Sequence, residues 1–198
     1  MKKAAVVPIT TVRYYGPGED CTDPTPGDLI LVRHAGLPAR LIRFGERLTL
    51  HGEDKVYAAV NHAMTVVQVE GGVVVQEMVG GGGVLTPLPD YAHLGYAVVH
   101  VVAASDAQRA AAVEAARWYV GVPYGWASIV TDGIYCLTRC PLVLGIGQSV
   151  VCSADATAAQ RCLGLVPDKP DLAVMPSDLA RYFDVRLPLA EWEHAAAA

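Results

Sequence analysis

The chain has no run of basic residues: fifteen Lys and Arg are scattered among twenty Asp and Glu, leaving a formal net charge of −5. A surface of that sign repels phosphate backbones, so no nucleic acid partner is expected. Long apolar runs are missing too. The longest, Pro141 to Cys152, contains Gln148 and is too short to span a bilayer, so no transmembrane segment is expected. The opening Met1-Lys2-Lys3 imitates a signal peptide, but Pro8 and Thr10 break the apolar stretch that follows. Arg13-Tyr14-Tyr15 then stands where a small-residue cleavage site would lie. The start therefore reads as an extended segment of a cytoplasmic protein, with export by another route left open. No internal repeat is visible.

Cysteine is scarce and odd in number. Cys21, Cys136, Cys140, Cys152 and Cys162 cannot all pair within one chain, which argues against a secreted disulfide framework and leaves room for a working thiol. Cys136 and Cys140 have a C-x3-C spacing, but no second pair with zinc-like spacing accompanies them. No metal and no cofactor is expected, and the role of these two cysteines is left open.

What is present describes one globular domain over residues 1–198: 53% hydrophobic and 18% charged residues, enough for a substantial core. Gly16 to Gly27 is turn-rich, and Gly27-Asp28 opens a strand, LILVRH. Leu37–Leu50 reads as helical in its first half. His62–Val69 and Val73–Val79, joined by Glu70-Gly71-Gly72, form a hairpin. Gly80–Gly83 reads as a loop, a mobile rim rather than a phosphate loop, because no Lys-Ser or Lys-Thr follows. A short strand near Tyr96–Val102 comes next. Ser105 and Asp106 cap the strongest helix signal, AQRAAAVEAARWYV, which Gly121 stops. Pro123-Tyr124-Gly125 is a turn, and Trp126–Leu137 is a helix candidate. Ser153–Leu163 is another, ended by Gly164. Ser177 caps a short third helix before a final strand at Asp184–Leu187, and the Ala195–Ala198 tail is frayed. The mixture is α+β, an antiparallel sheet packed against helices, rather than alternating βαβ.

A thiol nucleophile is activated at a helix N-terminus, where unpaired N–H groups and the dipole favour the thiolate. Cys152, entered from Val150-Val151 and followed by an alanine-rich helix, has that context. Cys162 lies at the wrong end, and Cys136 and Cys140 sit in an apolar stretch. A buried structural thiol is the competing account of Cys152. Of six histidines, His194 lies in a charged tail, whereas His62 begins a β-run opposite VVVQEM, which carries Glu77. A turn centred on Glu70-Gly71 sets Met64 against Glu77 and makes His62 and Glu77 diagonal neighbours on one face, roughly 7 Å apart. A carboxylate there orients an imidazole as the third member of a triad does. An even-sum register would separate the two, leaving a surface histidine beside an unrelated glutamate.

These segments, GDLILV, NHAMTVVQVEGGVVVQEMVGG, GVPYGW and VVCSADATAAQ, together resemble the circularly permuted NlpC-type branch of the papain-like superfamily. That branch includes acyltransferases related to lecithin:retinol acyltransferase. The resemblance spans about Pro26 to Leu187. It implies a papain-like fold with the catalytic cysteine at a helix N-terminus, and the order His62, Glu77, Cys152. It further implies a cysteine hydrolase or acyltransferase cleaving an amide, ester or thioester through a thioester on Cys152. The partner would be a small-molecule, peptide, peptidoglycan or lipid-acyl substrate. Tyr124 and Ser153 are the substrate-binding or oxyanion candidates, with the Cys152 backbone N–H as the main oxyanion donor. Tyr124 could equally be a turn tyrosine packed on the core, and Ile129–Val151 either core or a wall for an acyl chain. The chain departs from the branch at Ala154-Asp155-Ala156 and at Gly125. The alternative is an inactive binding or structural module that keeps the fold.

Overall fold

The computed structural model describes residues 10–125, 151–165 and 174–195. The expectations placed on Trp126–Leu137, on Cys136 and Cys140, and on most of Ile129–Val151 lie outside the described residues. Six strands form one antiparallel sheet: β1 Thr10–Tyr15, β2 Leu29–Val32, β3 His62–Gln68, β4 Val74–Val79, β5 Gly82–Pro87 and β6 Tyr96–Val101. Their spatial order is β1-β6-β2-β3-β4-β5. Among the described residues the helices are α1 Leu37–Thr49, α2 Asp106–Trp118, α3 Cys152–Cys162, α4 Pro176–Tyr182 and α5 Leu189–Ala195. The coarse expectation of an α+β chain with an antiparallel sheet and helices holds.

The sheet is apolar on both faces because alternate residues of its central strands feed two cores. Leu29, Leu31, Ala63, Val67, Ala97 and Val99 face the helices, whose Ala112, Ala116, Ala156 and Ala159 let the backbones approach closely. Ile30, Val32, Met64, Val66, Val75 and Val98 face a second cluster closed by Tyr15, Leu88, Tyr91 and Tyr96. Asp28 ties the two layers together. It is fully buried, accepts from the His100 ring at 2.9 Å, and lies 3.4 Å from the Arg109 guanidinium of α2. Gln160 of α3 donates to the Gly27 carbonyl, fixing that helix to the start of β2.

The hairpin forms with the expected turn. Gly72 N–H donates to Val69 C=O, putting Glu70-Gly71 at the centre, and Met64 stands opposite Glu77. A bulge between Val66 and Gln68 absorbs one extra residue near the turn without disturbing the pairing beyond it. The α2 cap also forms, as a reciprocal box between Ser105 and Gln108.

Elsewhere the structure corrects the sequence reading. Helix α1 runs the full length of its segment rather than half. Gly82 and Gly83 are not a loop but the start of β5. Their missing side chains admit a neighbouring segment, with Gly83 N–H donating to Val122 C=O and Gly121 N–H to Gly83 C=O. Ser177 is not the cap of α4: Met175 holds that place and Pro176 the first helical position. Asp184–Leu187 is not a strand. Val185 and Leu187 are buried among the helices while Asp184 and Arg186 point outward, so a two-residue alternation arises with no partner strand. Helix α5 and the 3-10 turn Gly52–Ala59 had no sequence signal that distinguished them from coil. Among the described residues no helix is long and apolar enough to cross a membrane.

Glu46 of α1 is buried against the start of α4, where its Oε1 accepts from Ser177 N–H at 3.0 Å and its Oε2 has no partner. Burial pushes its carboxyl up to about 8, against the Ser177 hydrogen bonds. A carboxyl raised in the fold holds its proton there while the unfolded chain loses it, so this group's contribution to stability falls as pH rises from about 4.5 to 8. Glu46→Gln is expected to flatten the fall and raise stability at pH 8 by on the order of a few kcal/mol, read from urea midpoints between pH 5 and 8. A variant as pH-sensitive as the parent would show that Glu46 is ionised in the fold. The glycine run offers a second check. A Cβ on Gly83 would lie 1.9 Å from the Tyr119 carbonyl oxygen, whereas one on Gly81 meets nothing within 4 Å. Gly83→Ala is expected to cost at least about 1–3 kcal/mol and Gly81→Ala about 0.5 kcal/mol or less. Equal urea midpoints for the two variants would contradict the close approach.

Candidate active site

His62 is the first residue of β3, at the end of the sheet, and only 7% of its surface is exposed. Its Nε2 lies 2.7 Å from Glu77 Oε2, the diagonal relation that the Met64–Glu77 pairing dictates. Tyr91 donates its hydroxyl to the same carboxylate oxygen at 2.5 Å, and the Thr86 side chain also bonds Glu77. Cys152, the first residue of α3, stands close enough for its sulfur to act on the charge of the His62 ring. Because Nε2 is engaged by Glu77, Nδ1 is the nitrogen left for the thiol. Cys152, His62 and Glu77, anticipated together from three separate segments, therefore meet.

The electrostatics favour a charged pair. Burial works against a protonated His62, but the sulfur of Cys152 and the Glu77 carboxylate outweigh it and push the imidazole up to about 10. Burial likewise works against an ionised Glu77, yet the hydrogen bonds from His62, Thr86 and Tyr91 bring it down to about 2. Burial also raises the Tyr91 and Tyr124 hydroxyls well above the ordinary tyrosine range. The carboxylate of Glu77 adds to this for Tyr91, and the charges of Cys152 and Asp155 add to it for Tyr124.

The two secondary candidates fare differently. Tyr124 is half-buried and close enough to Cys152 and Asp155 to feel their charge. Ser153 does not present its hydroxyl to a substrate. It is 2% exposed and donates to the Val174 carbonyl at 2.5 Å, tying α3 to the segment before α4. What Ser153 offers is backbone: the first helical bonds run from Ala154 and Asp155 N–H to Val151 C=O, so the N–H groups of Cys152 and Ser153 precede the helical ladder.

Four residues of the site were not singled out from the sequence. Asn61 fastens two strand ends, accepting from His34 N–H at 2.7 Å and donating to His34 C=O at 3.1 Å. His34 thereby packs edge-on to His62, ring centroids 4.9 Å apart, and against Tyr91 at 5.4 Å. Burial and the neighbouring His62 lower the His34 imidazole to about 4. The signal for His34 lay in the β2–β3 pairing: Val32 stands opposite His62, and His34 follows Val32 by two. Tyr91 had none, because it reaches Glu77 from a 3-10 turn. Asp155 follows Cys152 by less than a turn on the buried side of α3. Burial lifts its carboxyl to about 8. The Gln76 side chain and the Ala156 backbone pull it the other way without overcoming burial, and the Thr65 hydroxyl beside them is buried without a hydrogen-bond partner. Thr65 and Gln76 face each other across β3 and β4, so this polar group underlies the start of α3.

His34, His62 and Glu77 also form a set of possible metal ligands, their ligand atoms all within 4.8 Å of one another. No family model matches the chain, and no curated protein does.

The geometry separates the thiols. Cys21 is half-buried, its thiol pushed up by burial against the pull of Tyr15 and Arg13. Cys162 closes α3 with its Sγ on the Ala158 carbonyl. Only Cys152, among the described residues, has both a helix start and an imidazole. Iodoacetamide is expected to label Cys152 first at mildly acidic pH, as read by peptide mapping. Labelling led by Cys21 or Cys136 would count against an activated Cys152.

Proposed function

We propose that this protein is a cysteine hydrolase or acyltransferase of the circularly permuted NlpC-type, papain-like kind, acting on an amide, ester or thioester. The observation that carries the reading is His62 held between the Cys152 thiol and the Glu77 carboxylate. Among the described residues Cys21, Cys152 and Cys162 are free thiols, which accords with a cytoplasmic setting.

In this mechanism His62 Nδ1 takes the thiol proton and the sulfur attacks the substrate carbonyl carbon. The carbonyl π pair moves onto oxygen, where the Cys152 N–H, at the positive end of α3, stabilises it. As that pair returns, the bond to the leaving amine, alcohol or thiol breaks. His62 hands its proton to the departing atom, leaving a thioester on Cys152. Water, or an acceptor nucleophile, then gives up a proton to His62 and attacks the thioester, and the thiol is regenerated. Glu77 keeps the ring oriented and balances the imidazolium, and Tyr91 holds Glu77 in turn. Tyr124, beside Cys152, is a wall of the acyl site.

The test is a rate comparison on a panel of acyl-ester, thioester and cell-wall peptide substrates, with the fold of each variant checked by circular dichroism. Cys152→Ala is expected to abolish turnover, since no other group forms the covalent intermediate. His62→Ala is expected to cost about 10²- to 10⁴-fold and Glu77→Gln less, because an amide still orients the ring. Adding Glu77→Gln to His62→Ala is expected to cost little more, as groups acting as a unit are not additive. Full activity in Cys152→Ala would overturn the mechanism, and multiplicative losses from His62 and Glu77 would place Glu77 outside it.

A further inference from the structure

We propose that His34, His62 and Glu77 form a binding site for a divalent transition-metal ion, zinc above all, and that occupancy switches off the base of the thiol. The switching half rests on the catalytic reading above; the binding half does not.

The ligands are the right kinds and lie close together. Two imidazoles and a carboxylate are borderline donors suited to Zn²⁺, and three protein ligands with an open fourth position is a common arrangement for it. With bonds of about 2.0–2.1 Å, a tetrahedral ion holds its ligand atoms roughly 3.3 Å apart. Here they lie within 4.8 Å of one another, and His62 Nε2 stands 2.7 Å from Glu77 Oε2. A modest opening of that hydrogen bond and a turn of the His34 ring complete the set. His34 supplies the observation that catalysis leaves unexplained. Its backbone is fixed by Asn61 on both sides and by Arg43, which donates to its carbonyl at 2.7 Å. Yet among the described residues no hydrogen bond reaches its ring. The ring is thus positioned against His62 by the residue immediately before His62, and left with free nitrogens. Tyr91, donating to Glu77, supplies the outer-shell support that ligating carboxylates require.

An ion bound by both His62 Nε2 and Glu77 Oε2 takes the place of the hydrogen bond that now joins them. The carboxylate that orients the ring toward Cys152 is then drawn onto the metal, and the ring is held where the ion puts it. Inhibition needs no bond between metal and sulfur, which separates this site from capture of an ion by the thiol itself.

The experiment is calorimetric titration of the metal-free, full-length protein with Zn²⁺, alongside His34→Ala, His34→Asn and Cys152→Ala. One ion is expected per chain. Cys152→Ala should bind within about threefold of the parent, and each His34 variant at least about tenfold more weakly. Because a variant can misfold, the unaltered protein is also followed by ¹⁵N NMR of its histidine side chains. Zinc should move the His62 Nε2 and His34 ring signals. Where a substrate is in hand, Zn²⁺ should inhibit the parent at least about tenfold more strongly than His34→Ala, each relative to its own uninhibited rate. Affinity unchanged in both His34 variants, affinity lost in Cys152→Ala, or histidine signals unmoved at saturating zinc would each overturn the site. Failure to find any substrate would count against the hydrolase reading while leaving the titrations to decide the metal site.

Discussion

The register of β3 against β4 is the constraint on which the site depends. Side chains alternate across a strand, so a slip of one residue would carry His62 to the helix face and leave Glu77 behind. The pairing of Met64 with Glu77 keeps both on the face lined by Met64, Val66 and Val75. That core and the site hold the same register for different reasons. Sliding the strands would expose or mispair apolar side chains as surely as it would part the imidazole from its carboxylate. The bulge near Gln68 takes up the odd residue of the turn, so the irregularity stays away from the His62 end.

The legible parts of the chain were those decided by neighbours in sequence. The turn at Glu70-Gly71, the box at Ser105 and Gln108, and the helix starting at Cys152 are local, and each was readable from residue type and spacing. Elements that depend on distant chain were not. Gly82 and Gly83 look like a loop because nothing nearby reveals that the Tyr119–Val122 backbone lies against them. Val185 and Leu187 mimic a strand because a helical groove imposes the alternation. The His62–Glu77 pair could be read from one hairpin, whereas His34 required the β2–β3 pairing and Asn61 required its side-chain bonds. The pairing of His62 with Cys152 joins distant segments, and it could be read only by setting the cysteine at a helix start beside the histidine that begins a strand.

Buried polar groups divide into two kinds. Asp28, His62 and Glu77 are answered by partners, and their charges are held where strands and helices join. Glu46 and Asp155 are only partly answered and gain from keeping their protons at neutral pH. The second kind sits under helix starts, Glu46 at α4 and Asp155 at α3. Where a helix begins, backbone N–H groups need acceptors, and a neutral carboxyl can supply one without a full buried charge. Thr65 and Gln76 add buried polarity beneath α3.

The chain order of the three residues has a consequence for how the site assembles during folding. His62 and Glu77 are fifteen residues apart on one hairpin, a contact that closes early because it spans a short loop. Cys152 comes from much further along the chain and reaches them only after α3 has docked across β3 and β4. A nascent or partly unfolded chain can thus hold its imidazole and carboxylate assembled while Cys152 is still apart from them. On the proposed mechanism the thiol meets its base only at that last long-range closure, and a molecule that loses the closure parts the two before it loses its sheet.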